Sequence, residues 1–398
     1  MNALVPPPPP SQVHAPLAAL RATVTLLVLA HHALLAYHPY APPVGPSLLA
    51  LPFWRAFPVV DAERWSGATL IVGVNDSFFM SLMFLLAGLF AWPSLLRKGP
   101  WRHTRERWLR IGLPLAISLL VLAPLSYVPS YLQTGATWSL SGFWAQWSAL
   151  DAWPSGPAWF LAVLLVFDLG ALAVFVVAGS LARRRAQTPR PQLARLLASP
   201  ARIALILIAA SAAAYVPLAM HYGAGHWTAW GPLTFQTSRA AHYAVYFFLG
   251  LALGATGAQQ STLAAGGPLA QRWRSLLALA MIALVASFAA TIRALSVGGV
   301  DARWNLLASL AFVVVCAALC LAMTALFLRF VAGRGRTWTS LARSAYGMYL
   351  LHYPIVSWLQ YGLLGAALAG WTKAALVFGG AVALSWLLTL LPRRAARW

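Results

Sequence analysis

Acidic residues are scarce in this chain. Seven Asp and Glu stand against 28 Lys and Arg in 398 residues, and charged residues of both signs make up only 9%. A soluble globular domain carries roughly 25%, so composition excludes a soluble enzyme or binding module. Cysteine is nearly missing too. Cys316 and Cys320 lie one turn apart in one apolar run, which argues against a disulfide framework, and two thiols alone do not make a metal site. The expectation is no metal. The chain also lacks a GxGxxG dinucleotide fingerprint, a GxxxxGK[ST] phosphate loop, an HExxH zinc motif and a GxSxG nucleophile elbow. No internal repeat is visible, and no soluble domain.

What is present is apolar sequence, 61% of the residues, with a mean hydropathy of +0.72. The apolar runs are long and continuous, not alternating as in a β-barrel, so the spans read as helices. The expected fold is all-α, a polytopic membrane helical bundle of about ten transmembrane helices. The spans fall at roughly 17–38, 76–96, 110–128, 157–181, 202–220, 239–257, 274–293, 304–328, 341–361 and 371–391. Residues 1–16 read as a Pro-rich cytoplasmic tail, 17–392 as one transmembrane domain and 393–398 as a basic cytoplasmic tail. The tail before the first span has no Lys or Arg, unlike a signal peptide, so that span reads as retained.

The net charge of +21 invites a nucleic-acid reading in a soluble protein. Here basic residues collect in alternate loops, so the expected partner is the lipid bilayer and not nucleic acid. With ten spans, 22 of the 28 Lys and Arg fall on one side. Such residues favour the cytoplasm, which predicts a multi-pass protein with cytoplasmic termini. The outer loops 39–75 and 129–156 are long. The second carries Trp138, Trp144, Trp147 and Trp153, either an interfacial belt or rings that stack on sugar faces.

Four constellations carry candidate chemistry. In span one, LAALRATVTLLVLAHHALLAY at 17–37, Arg21 and His32 are eleven residues apart. They share one helical face about 16 Å apart along the axis, and His31 turns to the other side. This spacing predicts His32 near or just past the midplane, either as a general base or as a histidine bonded between helices. After span two, Arg107-x-x-Arg110 places two guanidiniums on one helical face, either to hold phosphate oxygens or as positive-inside charge. Asp168, in span four, needs a partner or a proton at bilayer depth. Asp76 reads as reaching water at the outer end of span two. In span nine, Tyr346, Tyr349 and Tyr353 share a face, and His352 neighbours Tyr349. These are supporting or packing groups, and Pro354 beside them is a candidate kink.

Together these segments resemble the acyltransferase-3 family of integral membrane acyltransferases. The carrying pieces are Arg21-x10-His32, NDSFFMSLMFLLAGLF at 75–90, Arg107-x-x-Arg110 in RERWLRIGLP, AWFLAVLL at 158–165 and SAYGMYLLHYPIV at 344–356. The RKG loop and second span are most similar to the subgroup that includes the glucan-modifying C protein. One departure is Ala87-Gly88, where the family often has Ser-Gly. The resemblance implies an enzyme that moves an acyl group from cytoplasmic acyl-coenzyme A to a hydroxyl of a surface glycan, lipid-linked sugar or other envelope acceptor. Acetyl is the default and succinyl the alternative suggested by the subgroup. It also implies functional roles for Arg21, His32, Arg107 and Arg110. On these expectations His32 and Arg21 are catalytic, Arg107 and Arg110 hold acetyl- or acyl-coenzyme A as co-substrate, and Asp168, Tyr349 and His352 support. The competing reading is a transporter or flippase of a polar or lipid-linked substrate. The sequence carries no signal for an oligomeric state.

Overall fold

The computed structural model of the chain describes residues 15–42, 57–150, 152–184, 191–231, 233–299, 301–331 and 335–395. The run Pro6–Pro10, together with Arg55, Asp151, Arg185, Arg190, Arg334 and Arg397, lies outside the described residues. The chain is an α-helical bundle. Its helices are α1 (Ala15–Leu35), α2 (Gly67–Asp76), α3 (Phe79–Lys98), α4 (Pro100–Gln133), α5 (Leu140–Ser148), α6 (Trp159–Arg184) and α7 (Pro191–Leu197). They continue as α8 (Pro200–Tyr222), α9 (Thr237–Ala255), α10 (Pro268–Gln271), α11 (Trp273–Ser296), α12 (Ala302–Phe330), α13 (Arg336–Gly362) and α14 (Gly370–Ala395). A hairpin, β1 (Trp227–Trp230) with β2 (Leu233–Gln236), pairs Trp227 opposite Gln236 ahead of α9.

Among the described residues, eight helices are long and apolar enough to cross a membrane, with α2 and α3 counted together. Large side chains such as Ile282, Val285, Ile292 and Leu295 on α11 are exposed, as expected of a surface solvated by lipid. Spans 239–257 and 341–361 are also helices, α9 and α13, but less apolar. They carry the buried polar groups Arg239, His242, His352 and Gln360. Their lower hydropathy reflects these buried polar groups; the more apolar α6 and α14 each bury one ionisable group as well, Asp168 and Lys373.

Helix pairs are set by small residues. A Cβ on Gly88 of α3 would lie 1.9 Å from the Phe247 carbonyl oxygen of α9. One on Gly250 would lie 2.2 Å from Leu85 O, and one on Gly254 2.4 Å from Leu89 O. The backbones of α3 and α9 touch, as small residues allow where lipid offers no hydrophobic drive.

Prolines work the other way, by freeing carbonyls. A helical proline leaves the carbonyl four residues earlier without its amide donor, and another element supplies one here. Pro93 frees Leu89 O, which accepts from Gln259 Nε2 at 3.0 Å. Pro114 frees Arg110 O, which accepts the Tyr346 hydroxyl. Pro129 frees Leu125 O, which accepts from Trp358 Nε1 at 3.1 Å. In this way each of these breaks ties its helix to a neighbour.

Two boundaries differ from expectation. The second span begins at Gly67, not near residue 76, and breaks at Ser77–Phe78, where Phe78 leaves helical geometry at φ −146°. Asp76 therefore sits at an internal break and not at the outer end. The third span runs from Pro100 to Gln133 and contains π-helical turns at Trp108–Gly112 and Ser118–Leu122. The Trp-rich outer loop forms α5, capped by Ser139 Oγ accepting from Gly142 N at 3.2 Å. Trp147 is buried against Tyr127 and Phe143, and Trp153 Nε1 donates to Leu119 O. Trp138 and Trp144 are exposed, so the four tryptophans divide between packing and surface.

Candidate active site

Residues 57–66 fold back over the end of α1. Asp61 N donates to Ala36 O at 3.0 Å and Trp65 N to Tyr37 O at 2.9 Å. Arg64 donates to the carbonyls of Ala36, His38 and Pro42. Burial, then the Arg64 charge, pushes the His38 imidazole below its ordinary value. Between α1, the α2–α3 break, residues 154–159, the hairpin, α9 and α13 lies a cavity of about 550 Å³.

His32 lines it from the last turn of α1, nearer the carboxy-terminal end of that helix than its middle. Its protonation is fixed by a chain of contacts. His352 Nδ1 lies 2.6 Å from Tyr349 O, so that nitrogen carries the proton. Its Nε2 is then an acceptor, 3.2 Å from His32 Nδ1. His32 Nδ1 also lies 2.9 Å from Val28 O, so it is the donor to both. His32 Nε2 is left as the basic nitrogen available to the cavity. Gln360 Nε2 holds the His32 carbonyl at 2.9 Å, locking α1 against α13.

Tyr353 stands edge-on to His32, with ring centroids 5.1 Å apart, and its hydroxyl meets that of Tyr127 at 3.3 Å. The Tyr349 hydroxyl donates to Pro157 O. The tyrosine face expected on span nine therefore packs on α4 and on the turn before α6. His31 does not turn away. It lines the same cavity, stacked on Phe79 at 5.2 Å with Nδ1 buried and unpartnered. The cavity lies across the end of α1 and is wide enough to take in both histidines, although they diverge on the helix wheel.

The opposite end of the bundle is basic. Arg21 is exposed and its Nη2 donates to Ala342 O at 3.4 Å. Ala342 lies one turn from Tyr346, whose hydroxyl reaches Arg110 O, so the first turns of α13 stand between Arg21 and Arg110. Arg21 and His32 do share a face, since both meet α13. Arg107 and Arg110 do not act as one face. The π-helical turn starting at Trp108 breaks the α-helical register between them. Arg107 Nε turns to Asp168 Oδ2 at 3.4 Å, while Arg110 is exposed. Asp168 is 3% exposed, and neither of its oxygens has an aligned hydrogen bond. Charge alone supplies the partner that its depth demands.

The sequence profile of the acyltransferase-3 family, described as an acyltransferase domain, matches residues 17–390. The chain belongs to the acyltransferase-3 family. It is a membrane acyltransferase. No curated protein and no solved structure matches it.

In this acyltransferase the candidate residues form two groups. His32 and Tyr349 line the cavity, with His352 buried behind His32, and Arg21, Arg107, Arg110 and Asp168 cluster toward the basic end. Sequence reasoning missed the pair formed by Asp76 and Arg239 on the cavity wall. The signal that pointed to it was an arginine in the first turn of a span on the residue-poor side of the charge count. It also missed Gln360 and the buried pair of Lys373 with Asp61. Among the described residues no group of three or more His, Cys, Asp or Glu is placed to hold a metal.

Proposed function

We propose that this protein transfers an acyl group, acetyl by default, from cytoplasmic acyl-coenzyme A to a hydroxyl of an envelope glycan or lipid-linked sugar. The reading places it in a bacterial-type inner membrane with the arginine-rich end and both termini cytoplasmic. One observation carries it. A histidine with a fixed tautomer presents Nε2 to a cavity at one end of the bundle, and arginines gather at the other.

His32 Nε2 takes the proton of the acceptor hydroxyl as its oxygen attacks the thioester carbonyl. The C–S bond breaks, and the coenzyme A thiolate leaves with the proton from His32. His352 holds the ring, and its neutral Nε2 accepts from His32 Nδ1–H, which stabilises the imidazolium that forms. Arg21, on the same face of α1 toward the cytoplasm, orients the donor. Arg110, exposed and with its guanidinium free of the Tyr346 contact, meets the donor phosphates as a planar fork.

The deciding experiment supplies purified protein with radiolabelled acetyl-coenzyme A and an envelope glycan extract. Label in an alkali-labile ester on the glycan is the expected result. Translocation of the glycan with no consumption of the thioester would instead establish the transporter reading.

The donor site carries its own prediction. Arg110→Ala is expected to weaken acyl-coenzyme A binding about ten- to hundredfold, the worth of one charge-assisted contact. Arg110→Lys should recover only part of it. Arg107→Ala should in addition lower thermal stability, because it strands Asp168. Calorimetric binding to the purified variants checks this, and full recovery by lysine would leave Arg110 as a topology signal.

A further inference from the structure

Asp76 ends α2 at the break before α3, on the cavity wall, and 43% of its side chain remains open. Arg239 of α9 grips it from behind, with Nη1 to Oδ1 at 2.8 Å and Nη2 to Oδ2 at 2.6 Å. Nη1 also reaches the Asp76 carbonyl at 3.2 Å. Each carboxylate oxygen therefore gives one lone pair to the guanidinium and keeps another. The fork fixes the plane of the carboxylate.

The cation itself is withdrawn. Arg239 is 8% exposed, and its guanidinium lies 4.9 Å from the Phe312 ring centroid. It is the one arginine or lysine among the described residues lining the cavity. An anionic ligand thus finds its only fixed positive charge already neutralised. A ligand with neighbouring hydroxyls finds two rigid acceptors side by side. Trp159 and Trp227 bring indole rings to the same space, and Thr234 and Gln236 add polar groups from the hairpin. Beside them His31 keeps a buried Nδ1 without a partner.

We infer that Asp76, clamped by Arg239, binds two adjacent hydroxyls of a neutral sugar and so positions a further hydroxyl of the acceptor for His32. This rests on the acyl-transfer reading and narrows its acceptor to an uncharged sugar. Uronic-acid and phosphorylated acceptors are disfavoured at this subsite.

The test uses the full-length protein in lipid nanodiscs and two probes of equal length, a linear glucose hexasaccharide and its glucuronate counterpart. Calorimetry on the wild type is expected to favour the neutral probe. Asp76→Asn should weaken its binding about ten- to hundredfold, the worth of charge-assisted contacts, with coenzyme A binding unchanged. Because Asp76→Asn strands a buried arginine, the double variant Asp76→Asn with Arg239→Gln is measured beside it. It keeps a neutral hydrogen-bonded pair, its melting curve reports folding, and its sugar affinity should stay low. Neutral-probe affinity equal to wild type in a folded variant overturns the inference. So does tighter binding of the glucuronate probe, or no binding of the neutral probe to wild type. Sugar binding that is lost on Asp76→Asn, in a protein that never consumes acyl-coenzyme A, would count against the acyl-transfer reading and leave the sugar subsite standing.

Discussion

His32→Ala is expected to lower the rate of acyl transfer about 10²- to 10⁴-fold, the usual range for a positioned general base. The protein should still insert and fold. The mechanism rests on Nε2, and alanine removes it together with the contacts to Val28 and His352. His352→Ala should cost less, since Val28 O still fixes the His32 tautomer at 2.9 Å. Its signature is a changed pH profile, because the neutral acceptor at 3.2 Å that supports the imidazolium is gone. His31→Ala is expected to affect the acceptor KM more than kcat, since His31 lines the cavity but is outside the His32–His352 chain. Initial rates at saturating donor, with acceptor and pH varied, separate the three. Equal loss of kcat from His31→Ala and His32→Ala would sink the assignment of the base.

Lys373→Ala is expected to destabilise the protein by about 3–5 kcal/mol, the cost of leaving a buried charge unpaired. Lys373 is 1% exposed and Asp61 2%, and Nζ lies 2.8 Å from Oδ2. Asp61 also accepts from Glu63 N at 2.9 Å and donates its own amide to Ala36 O. The pair therefore fastens the segment 57–66 to both α1 and α14. The double variant Lys373→Met with Asp61→Leu should regain part of the loss, because it removes both desolvated charges. Thermal unfolding of the purified protein in detergent checks both. A single variant as stable as wild type would show that the segment 57–66 does not need the pair.

Much of the architecture was legible in the sequence because bilayer depth is a one-dimensional constraint. Apolar runs of sufficient length must be helical, and this holds residue by residue along α1, α6, α8, α11, α12 and α14. The family was legible from Arg21-x10-His32 and the motifs that follow it. The face shared by Arg21 and His32 was legible because both lie in one uninterrupted helix. Where the regular helix was interrupted, extrapolation failed. The π-helical turn at Trp108–Gly112 separates Arg107 from Arg110, and the break at Ser77–Phe78 moves Asp76 from the outer end to the cavity.

By itself, then, the sequence determined a helical membrane protein, its acyltransferase family and the pairing of Arg21 with His32 on one face. These follow from hydropathy and helical period, which are local. The tertiary structure alone decided which groups meet: His32 with His352, Arg107 with Asp168, Asp76 with Arg239, and Lys373 with Asp61. Those partners are separated by up to 320 residues, and their contacts depend on how helices cross, on glycines that let α3 and α9 touch, and on carbonyls freed by proline. Burial in a medium without water requires every such group to find a partner, but only the packing of the bundle determines which one.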